Sequence, residues 1–405
     1  MDDLINALDS AVTTGLADGI VLGVRVGERV DTHAAGRRGP GGKPLTDGTP
    51  FPVCSITKPA TSALLHALAA DGLLDLDAPV LGAATVRSLL RHTGGVGPDW
   101  GGDLEALGNG DGALAAYAAR PDLIEDLGAP WSYGNPGYWL VGHRAAVAAG
   151  TTFEAALRER VLAPAGMTGA DCRPWADDAS LLAHDDADPR RSSYLSMPRA
   201  RISSGGVRAT VHDVLALAAA TWPGGALGDL GVLGAADFAD AYGDRLWGPG
   251  WEAWRAADGT VVAGHSGVYG GFRTRLWSVP SRRTAVAVLA VGRGSEDVVL
   301  DVATRAIAAS TGLEEPRPAI GDQARPLADY AGTYARRSAR HEVSVDGEAL
   351  RVTTGGETVL ARPAGNDRFL VDGTVSPRRH VDFLPGASGA VAFIRPGLLA
   401  ARRVS

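Results

Sequence analysis

The chain has 405 residues, of which 45% are hydrophobic, so we predict two or three domains with a large core and exclude an intrinsically disordered protein. Its formal net charge is −7, so the chain lacks the excess of positive charge that is typical of nucleic-acid-binding proteins, and we expect no nucleic-acid partner. The two cysteines, Cys54 and Cys172, are too few for a disulfide framework and indicate reduced thiols.

The chain begins with acidic residues where a signal peptide requires a basic region, and it has no stretch of about 20 apolar residues that would span a membrane. We therefore expect a cytoplasmic protein with no membrane partner. Residues 2–18 have the spacing of an amphipathic helix. Residues 19–27 and 29–35 have the pattern of a β-hairpin with a turn near Gly27-Glu28.

A helix is predicted from Ser55 to about Gly72, because apolar residues recur at helical spacing and Gly72 is a natural stop. Proline is comfortable only in the first helical turn, so Pro59 places the start of this helix very near Ser55. Residues 170–200 are rich in Asp, Arg, Pro and Ser, which is typical of a long surface loop. Other short helices are predicted at 85–92, 112–120, 137–149, 152–162 and 210–221.

Near residues 258–292 the hydrophobic pattern changes to that of three consecutive strands, and residues 295–312 have the pattern of a helix. The order of helix, strands, helical insert, strands and helix predicts an α+β domain over residues 1–315. We expect an antiparallel sheet flanked by helices, with its sheet parts at about 1–55 and 240–315. The helical lobe at about 75–240 is inserted between them.

Residues 316–326 are predicted to be a linker, and the pattern of hydrophobic and turn-forming residues changes after them. Residues 327–405 contain many short β-like runs separated by turn signals, which is typical of a small β-barrel domain.

Ser55 and Lys58 lie three residues apart, so a helix places their side chains on one face. A serine hydroxyl becomes a good nucleophile when a base takes its proton. A lysine acts as that base when burial or neighbouring positive charge lowers its pKa. Lysine occurs at only two positions in the chain, which makes this pairing notable. An exposed helical lysine is the alternative interpretation.

Tyr133 and Asn135 form a second motif. A phenol relays a proton if nearby cations lower its pKa, and an asparagine amide can orient a substrate carbonyl. An aromatic turn beside Gly and Pro is the alternative interpretation.

In the third motif, Gly264 and Gly267 flank His265 on a predicted strand. Glycines in a strand often mark the close approach of a ligand to the backbone. A structural histidine is the alternative there.

The order and spacing of these three motifs resemble those of the serine β-lactamase and penicillin-binding-protein superfamily, in its branch with esterases, D-aminopeptidases and related transferases. The resemblance covers about residues 10–312. It includes the segments LLRHTGGV (89–96), WSYGNPGYWLVGHRAAVAAGTTFEAALRERVLAPAGMTGA (131–170) and SSGGVRATVHDVLALA (203–218). The fold it implies is a β-lactamase-like catalytic domain.

The resemblance implies that Ser55 is the acylated nucleophile and Lys58 its general base. It implies that Tyr133 relays the proton and that Asn135 orients the substrate. It also places an oxyanion hole at the backbone N–H groups of Ser55 and Val268, which would stabilise the transition state. No cofactor and no metal are implied.

His265-Ser266-Gly267 stands where many lactamases carry Lys-Thr-Gly. The exchange removes the permanent cation that would bind a β-lactam carboxylate. Because the chain also lacks a recognisable signal peptide, we expect neither β-lactam hydrolysis nor cell-wall transpeptidation.

Residues 328–334, ADYAGTY, are similar to the opening of the lipocalin-like barrel that is appended to some members of the superfamily. Enzymes of this layout include standalone thioesterases that release and cyclise nonribosomal peptides, and D-stereospecific peptidases or esterases. The resemblance implies acyl-enzyme chemistry on peptidyl or aminoacyl (thio)esters or amides, with D-stereospecificity, and favours the cyclising thioesterase. A D-aminopeptidase or carboxylesterase is the alternative within the family. A non-catalytic scaffold on the same fold is the alternative outside it.

Charge is distributed unevenly along the chain. From Gln323 onward, 12 arginines and 8 acidic residues give a net charge of +4, which leaves −11 for the preceding residues. A basic barrel has the right sign to dock an acidic carrier protein that delivers a tethered substrate. The alternative interpretation is that these arginines only keep a small β-domain soluble.

Overall fold

The helices lie close to their predicted positions in the computed structural model of the protein. The structure describes residues 2–39, 42–100, 102–172, 182–184, 192–194, 197–228, 238–242, 245–292, 294–316, 325–371 and 380–405. Most of the predicted surface loop and most of the predicted linker lie outside these ranges. The described α-helices are α1 (Asp2–Thr13), α2 (Thr57–Ala70), α3 (Val86–Leu90), α4 (Ala113–Ala118), α5 (Asn135–Ala149), α6 (Phe153–Leu157), α7 (Ile202–Gly205), α8 (Val211–Ala220) and α9 (Ser295–Thr311).

The strands fall into a large sheet, a closed barrel and several two- or three-stranded pieces. In the first part of the chain they are β1 (Gly19–Val26), β2 (Arg29–Gly36), β3 (Phe51–Pro52), β4 (Pro79–Leu81), β5 (Ala84–Thr85), β6 (Val96–Trp100), β7 (Ile124–Asp126), β8 (Asp171–Cys172), β9 (Leu182–His184), β10 (Ser192–Tyr194), β11 (Val207–Ala209), β12 (Ala239–Tyr242), β13 (Arg245–Trp247), β14 (Glu252–Arg255), β15 (Val261–Tyr269), β16 (Phe272–Val279) and β17 (Thr284–Val291). In the last part they are β18 (Gly332–Arg336), β19 (Ala339–Asp346), β20 (Ala349–Thr354), β21 (Glu357–Gly365), β22 (Arg368–Val371), β23 (His380–Pro385), β24 (Val391–Pro396) and β25 (Ala401–Arg403).

The large sheet has eight antiparallel strands in the order β12-β13-β14-β15-β16-β17-β1-β2. The N-terminal hairpin therefore completes a sheet whose other strands follow Phe238, and the helical lobe is inserted between β2 and β12. This arrangement confirms the predicted α+β architecture. The sheet also contains β12, β13 and β14, which were not singled out, because runs of three or four residues are too short to show a period.

Both faces of the sheet are covered, and β17 shows how. Val286 and Val288 pack with α1 and α9 on one face, whereas Ala287 and Leu289 pack with the helical lobe on the other. Successive side chains of a strand point to opposite faces, so a strand covered on both sides is apolar at every position. This explains why every residue of β17 after Thr284 is apolar.

Two helix boundaries have clear local causes. α1 ends at Thr13 and not at residue 18 as predicted, because Gly15 adopts a left-handed conformation with φ of +75°. A short 3₁₀ turn over Cys54–Ile56 precedes α2, and Pro59 lies in the first turn of that helix, as predicted.

The last eight strands, β18 to β25, form a closed barrel, which confirms the fold predicted for the C-terminal part of the chain. Aromatic side chains fill its core, among them Tyr330, Phe369 and Phe383. Its β24–β25 hairpin packs against the segment that follows β7 in the helical lobe. In the described part of the chain, no helix is long and apolar enough to cross a membrane.

Candidate active site

Ser55 lies in the 3₁₀ turn that precedes α2, directly beside β15 of the large sheet. Thr274 on the neighbouring strand donates a 3.1 Å hydrogen bond to the carbonyl oxygen of Val53. A Cβ atom at Gly267 would approach that same oxygen to 2.4 Å, so only glycine lets β15 pass so close to the turn. The predicted close approach at this glycine is thus to the protein's own backbone, beside Ser55.

Cys54, the residue before Ser55, is buried and adopts a left-handed conformation with φ of +51°. Burial raises the pKa of its thiol to about 12. The thiolate is the reactive form of cysteine, so this side chain is unreactive at neutral pH. Cys54 is therefore a small buried residue, and the hydroxyl of Ser55 is the candidate nucleophile of this turn.

Lys58 lies one helical turn after Ser55 and is fully buried. Its Nζ atom lies 2.9 Å from Ser55 Oγ and 2.8 Å from Asn135 Oδ1, and it contacts the carbonyl oxygen of Ser204 at 3.2 Å. No carboxylate is among these three partners. Burial therefore holds the pKa of Lys58 well below its usual value of 10.5.

Tyr133 lines the same cavity as Ser55. The Lys58 Nζ atom is 4.8 Å from the centroid of its ring. From the sequence, this phenol relays a proton if nearby cations lower its pKa. Instead, burial raises the pKa of Tyr133 above its usual value of 10.0, since desolvation outweighs the opposing effect of Ser55. Tyr133 is a neutral phenol that can donate and accept a proton together.

Asn135 is the first residue of α5, and its side-chain oxygen accepts the hydrogen bond from Lys58. The structure thus brings the predicted residues Ser55, Lys58, Tyr133 and Asn135 together, although 77 residues separate Lys58 from Asn135. An amide whose oxygen is held in this way has a fixed orientation.

His265 is 2% exposed and packs edge-on against Trp247, at 5.4 Å between ring centroids. Its Nδ1 atom lies 2.6 Å from the carbonyl oxygen of Ser266, so Nδ1 carries the hydrogen and Nε2 is left with a lone pair. Burial, and then the positive charge of Lys58, lower the pKa of His265 to about 3. It is therefore neutral at physiological pH.

His92 is a residue of the site that the sequence argument did not single out. Its Nδ1 atom accepts a 3.2 Å hydrogen bond from the N–H of Gly134, and its carbonyl oxygen accepts one of 3.1 Å from the N–H of Ser132. Its ring lies 4.4 Å from that of Tyr133. Its φ of +60° is unusual for a residue other than glycine. Only the HTGG segment hinted at this clamp on the tyrosine.

The barrel also reaches the site, which the sequence could not indicate. The N–H of Tyr133 donates a 3.0 Å hydrogen bond to the carbonyl oxygen of Leu398, and the N–H of Ala400 donates one of 3.1 Å to Ser132 Oγ. The two hydrogen bonds tie the β24–β25 hairpin to the segment that carries Tyr133.

Two cavities flank Ser55, and Val268 lines both of them. The Asn135 cavity has a volume of about 300 Å³ and includes Asn135 and Arg201. The His265 cavity has a volume of about 280 Å³. Its lining residues are Ser55, Tyr133, Trp247, Glu252, His265, Ser266, Val268, Glu296 and Leu398.

A buried ion pair includes Glu252, one of the residues that line the His265 cavity. Glu252 is 3% exposed and lies 2.6 Å from a guanidinium nitrogen of Arg275, which is itself fully buried. At the mouth of the cavity, Glu296 is half exposed and lies 3.5 Å from Arg273. Among the described residues, no group of His, Cys, Asp and Glu side chains could hold a metal ion.

Comparisons with known proteins show what the chain as a whole is similar to. A family profile described as beta-lactamase matches residues 7–310. Penicillin-binding protein 4 of Amycolatopsis lactamdurans is 28% identical to this chain over 372 residues, which cover 81% of this chain and 96% of that protein.

Solved structures extend the likeness to the barrel. The crystal structure of SurE is 25% identical, with a TM-score of 0.80, and the match covers 100% of this chain and 99% of SurE. The crystal structure of SurE with D-Leu gives a TM-score of 0.78 over the same shares. The D-amino acid amidase from Ochrobactrum anthropi SV3 is 21% identical, with a TM-score of 0.64 over 76% of this chain and 99% of the amidase, which is a likeness of fold.

Proposed function

The chain belongs to the beta-lactamase family and is a serine hydrolase of that family, and from this premise we propose that it forms an acyl-enzyme on Ser55 with peptidyl or aminoacyl (thio)esters or amides. The observation that carries the proposal is the contact of the buried Lys58 amine with Ser55 Oγ at 2.9 Å. A lysine with a lowered pKa and no carboxylate partner is suited to take a serine proton.

In the proposed acylation, neutral Lys58 removes the hydroxyl proton as Ser55 Oγ attacks the carbonyl carbon of the donor. The neutral phenol of Tyr133 then passes a proton to the leaving group and recovers one from Lys58. General acid–base groups of this kind typically contribute about 10²–10⁴-fold each. The backbone N–H groups of Ser55 and Val268 are proposed to stabilise the oxyanion, a contribution of a few kcal/mol.

Two further residues have supporting roles in the proposal. Asn135, whose oxygen is occupied by Lys58, is proposed to orient a substrate carbonyl through its amide nitrogen. His265 and Gly267 belong to the strand that borders the site, and His265 is proposed to bind substrate without taking part in the proton relay.

We propose a D-stereospecific enzyme, and our favoured version is a standalone thioesterase that releases and cyclises a nonribosomal peptide. The support is the match of the whole two-part layout to SurE, which has been crystallised with D-Leu. The donor is then a peptidyl substrate, delivered free or tethered to a carrier protein. A D-aminopeptidase or carboxylesterase remains the alternative, and the shared fold of the D-amino acid amidase is its support.

The test is the intact mass of the protein after incubation with paired D- and L-aminoacyl and peptidyl thioesters, followed by product analysis. We expect a mass increase equal to the acyl group, found with the D-substrates and absent in Ser55→Ala. A matched Ser→Ala control at the exposed Ser388 should retain labelling. Labelling of Ser55→Ala at another residue would rule out the nucleophile, and a cyclic product would separate the thioesterase from the peptidase or esterase.

A further inference from the structure

The two cavities beside Ser55 offer opposite polar groups to a ligand. Asn135 and Arg201 line the Asn135 cavity, and both can donate hydrogen bonds. The side chains of Glu252, Glu296 and His265, which all carry hydrogen-bond acceptors, are among those that line the His265 cavity. No arginine or lysine from the described part of the chain lines this second cavity.

The position of Tyr133 distinguishes the roles of the cavities. A group that leaves or attacks the acyl carbon must exchange a proton with the relay, so it must lie within hydrogen-bond reach of that residue. Tyr133 lines the His265 cavity and is absent from the described lining of the Asn135 cavity. The leaving and attacking groups therefore belong in the His265 cavity.

The acceptors of this cavity are built into the fold. The Nδ1–H of His265 is fixed on Ser266, and its buried Nε2 has no hydrogen-bond partner among the described residues. Arg275 and Arg245 pair with Glu252, Arg273 pairs with Glu296, and none of these arginines lines the cavity. A ligand in the cavity therefore meets the two glutamates and His265, with the compensating cations outside the lining.

We propose that the His265 cavity is an amine site, which selects the amino group that receives the acyl chain from Ser55. This inference rests on the proposed acyl-enzyme function and deepens it by naming the acceptor class. A lysine in place of His265 would offer a cation to a carboxylate. A neutral histidine beside two glutamates instead accepts hydrogen bonds from an ammonium or amine group.

The transfer step balances as follows. The incoming ammonium group releases one proton to water at the mouth of the cavity, beside the half-exposed Glu296. The nitrogen lone pair then forms the C–N bond, the C–Oγ bond breaks, and its electron pair stays on Ser55 Oγ. The second amine proton passes through Tyr133 to Oγ, which leaves an amide product and a free Ser55 hydroxyl.

The experiment measures how the acyl-enzyme partitions between transfer and hydrolysis. A peptidyl thioester that labels Ser55 is supplied with glycinamide, or with glycolamide, in which a hydroxyl replaces the amine. Both products are quantified by mass spectrometry in one reaction. For the parent enzyme we expect a certain ratio of glycinamide product to glycolamide product. This ratio should be at least ten times the ratio that the same thioester gives in buffer without enzyme.

The decisive variant is Glu296→Gln, because this side chain is 56% exposed and its loss does not disturb the core. We expect its transfer-to-hydrolysis ratio with glycinamide to fall at least fivefold. Asp297→Asn removes the same charge one residue along α9, at an exposed side chain outside the cavity lining, and should change the ratio less than twofold. Glu252→Gln should lower the ratio further in protein that folds.

The outcomes separate this inference from the proposed function. If Ser55 is never acylated, the proposed function fails. If Ser55 is acylated but Glu296→Gln behaves like Asp297→Asn, the amine site is overturned and the acyl-enzyme chemistry stands. A parent enzyme that shows no preference for glycinamide over glycolamide overturns the inference in the same way.

Discussion

The main-chain N–H of Tyr133 donates a 3.0 Å hydrogen bond to the carbonyl oxygen of Leu398, so the barrel holds the backbone of the proposed proton relay. Leu398 also lines the His265 cavity beside Ser55. The barrel is therefore part of the wall of the candidate active site, and removing it would change the site itself.

The hairpin contact can be tested through its second hydrogen bond. Ser132→Ala leaves the buried N–H of Ala400 without its acceptor, which should lower the free energy of unfolding by roughly 1–3 kcal/mol. We also expect a lower kcat, because the neighbouring Tyr133 loses part of its support. Urea unfolding and steady-state kinetics measure both. Ser388→Ala, at an exposed barrel serine, is the matched control and should change stability by less than about 0.5 kcal/mol. An unaltered kcat in folded Ser132→Ala would contradict a positioning role.

Lys58 and Tyr133 should act as one proton relay. Lys58→Ala and Tyr133→Phe should each lower turnover by about 10²–10⁴-fold while the protein stays folded. Because both act on the hydroxyl of Ser55, the double variant should lose little more than the worse single variant. The measurement is kcat/KM for all four proteins, with circular dichroism to check folding. Losses that multiply in the double variant would show two independent contributions.

The burial of Lys58 predicts a pH-dependent cost in stability. Its pKa in the folded protein lies well below 10.5, so between that lowered pKa and 10.5 the unfolded chain binds a proton that the folded protein does not. The stability of the parent should therefore rise with pH through this window. Lys58→Met removes the titration, and we expect it to be inactive, more stable than the parent at pH 7 and less dependent on pH. Chemical denaturation at several pH values checks this. A Lys58→Met protein that is less stable at pH 7 would contradict the prediction.

His265 should contribute to binding more than to proton transfer. We expect His265→Ala to raise KM and to lower kcat much less than Lys58→Ala does. The pKa of His265 is lowered to about 3, so this residue should not titrate near pH 6.5. The pH profiles of kcat/KM for the parent and for His265→Ala should therefore have the same shape around that pH. A loss of kcat as large as that of Ser55→Ala would assign His265 to the relay.

Docking of a carrier protein on the basic barrel should depend on salt. Truncation cannot test it, because Leu398 belongs to the active-site wall. Arg340→Glu combined with Arg351→Glu reverses two exposed charges of the barrel. We expect kcat/KM to fall for a carrier-tethered peptide and to stay constant for the same peptide as a soluble thioester. The difference should shrink as salt is added. Arg29→Glu, an exposed charge on the sheet domain, is the control. Equal effects on both substrates would contradict docking and would favour a role of these arginines in solubility alone.

The sequence determined what depends on local spacing. A spacing of three residues brings Lys58 to Ser55 across the 3₁₀ turn and the start of α2, and Pro59 places the start of that helix within one turn of itself. The two-residue and 3.6-residue periods separated the strands of the sheet from the helices of the lobe. The resemblance of the motifs to a known family added the grouping of Tyr133 and Asn135 with this pair.

The tertiary structure alone decided the partners that come from far along the chain. His92 contacts Gly134 across 42 residues, Ser204 meets Lys58 across 146, and Ala400 meets Ser132 across 268. It also reversed the expected shift in the pKa of Tyr133. Periodicity records which face of an element is apolar and not which element covers it, and desolvation depends on everything packed around a group. The barrel's place in the active-site wall therefore follows from the packing of the folded chain.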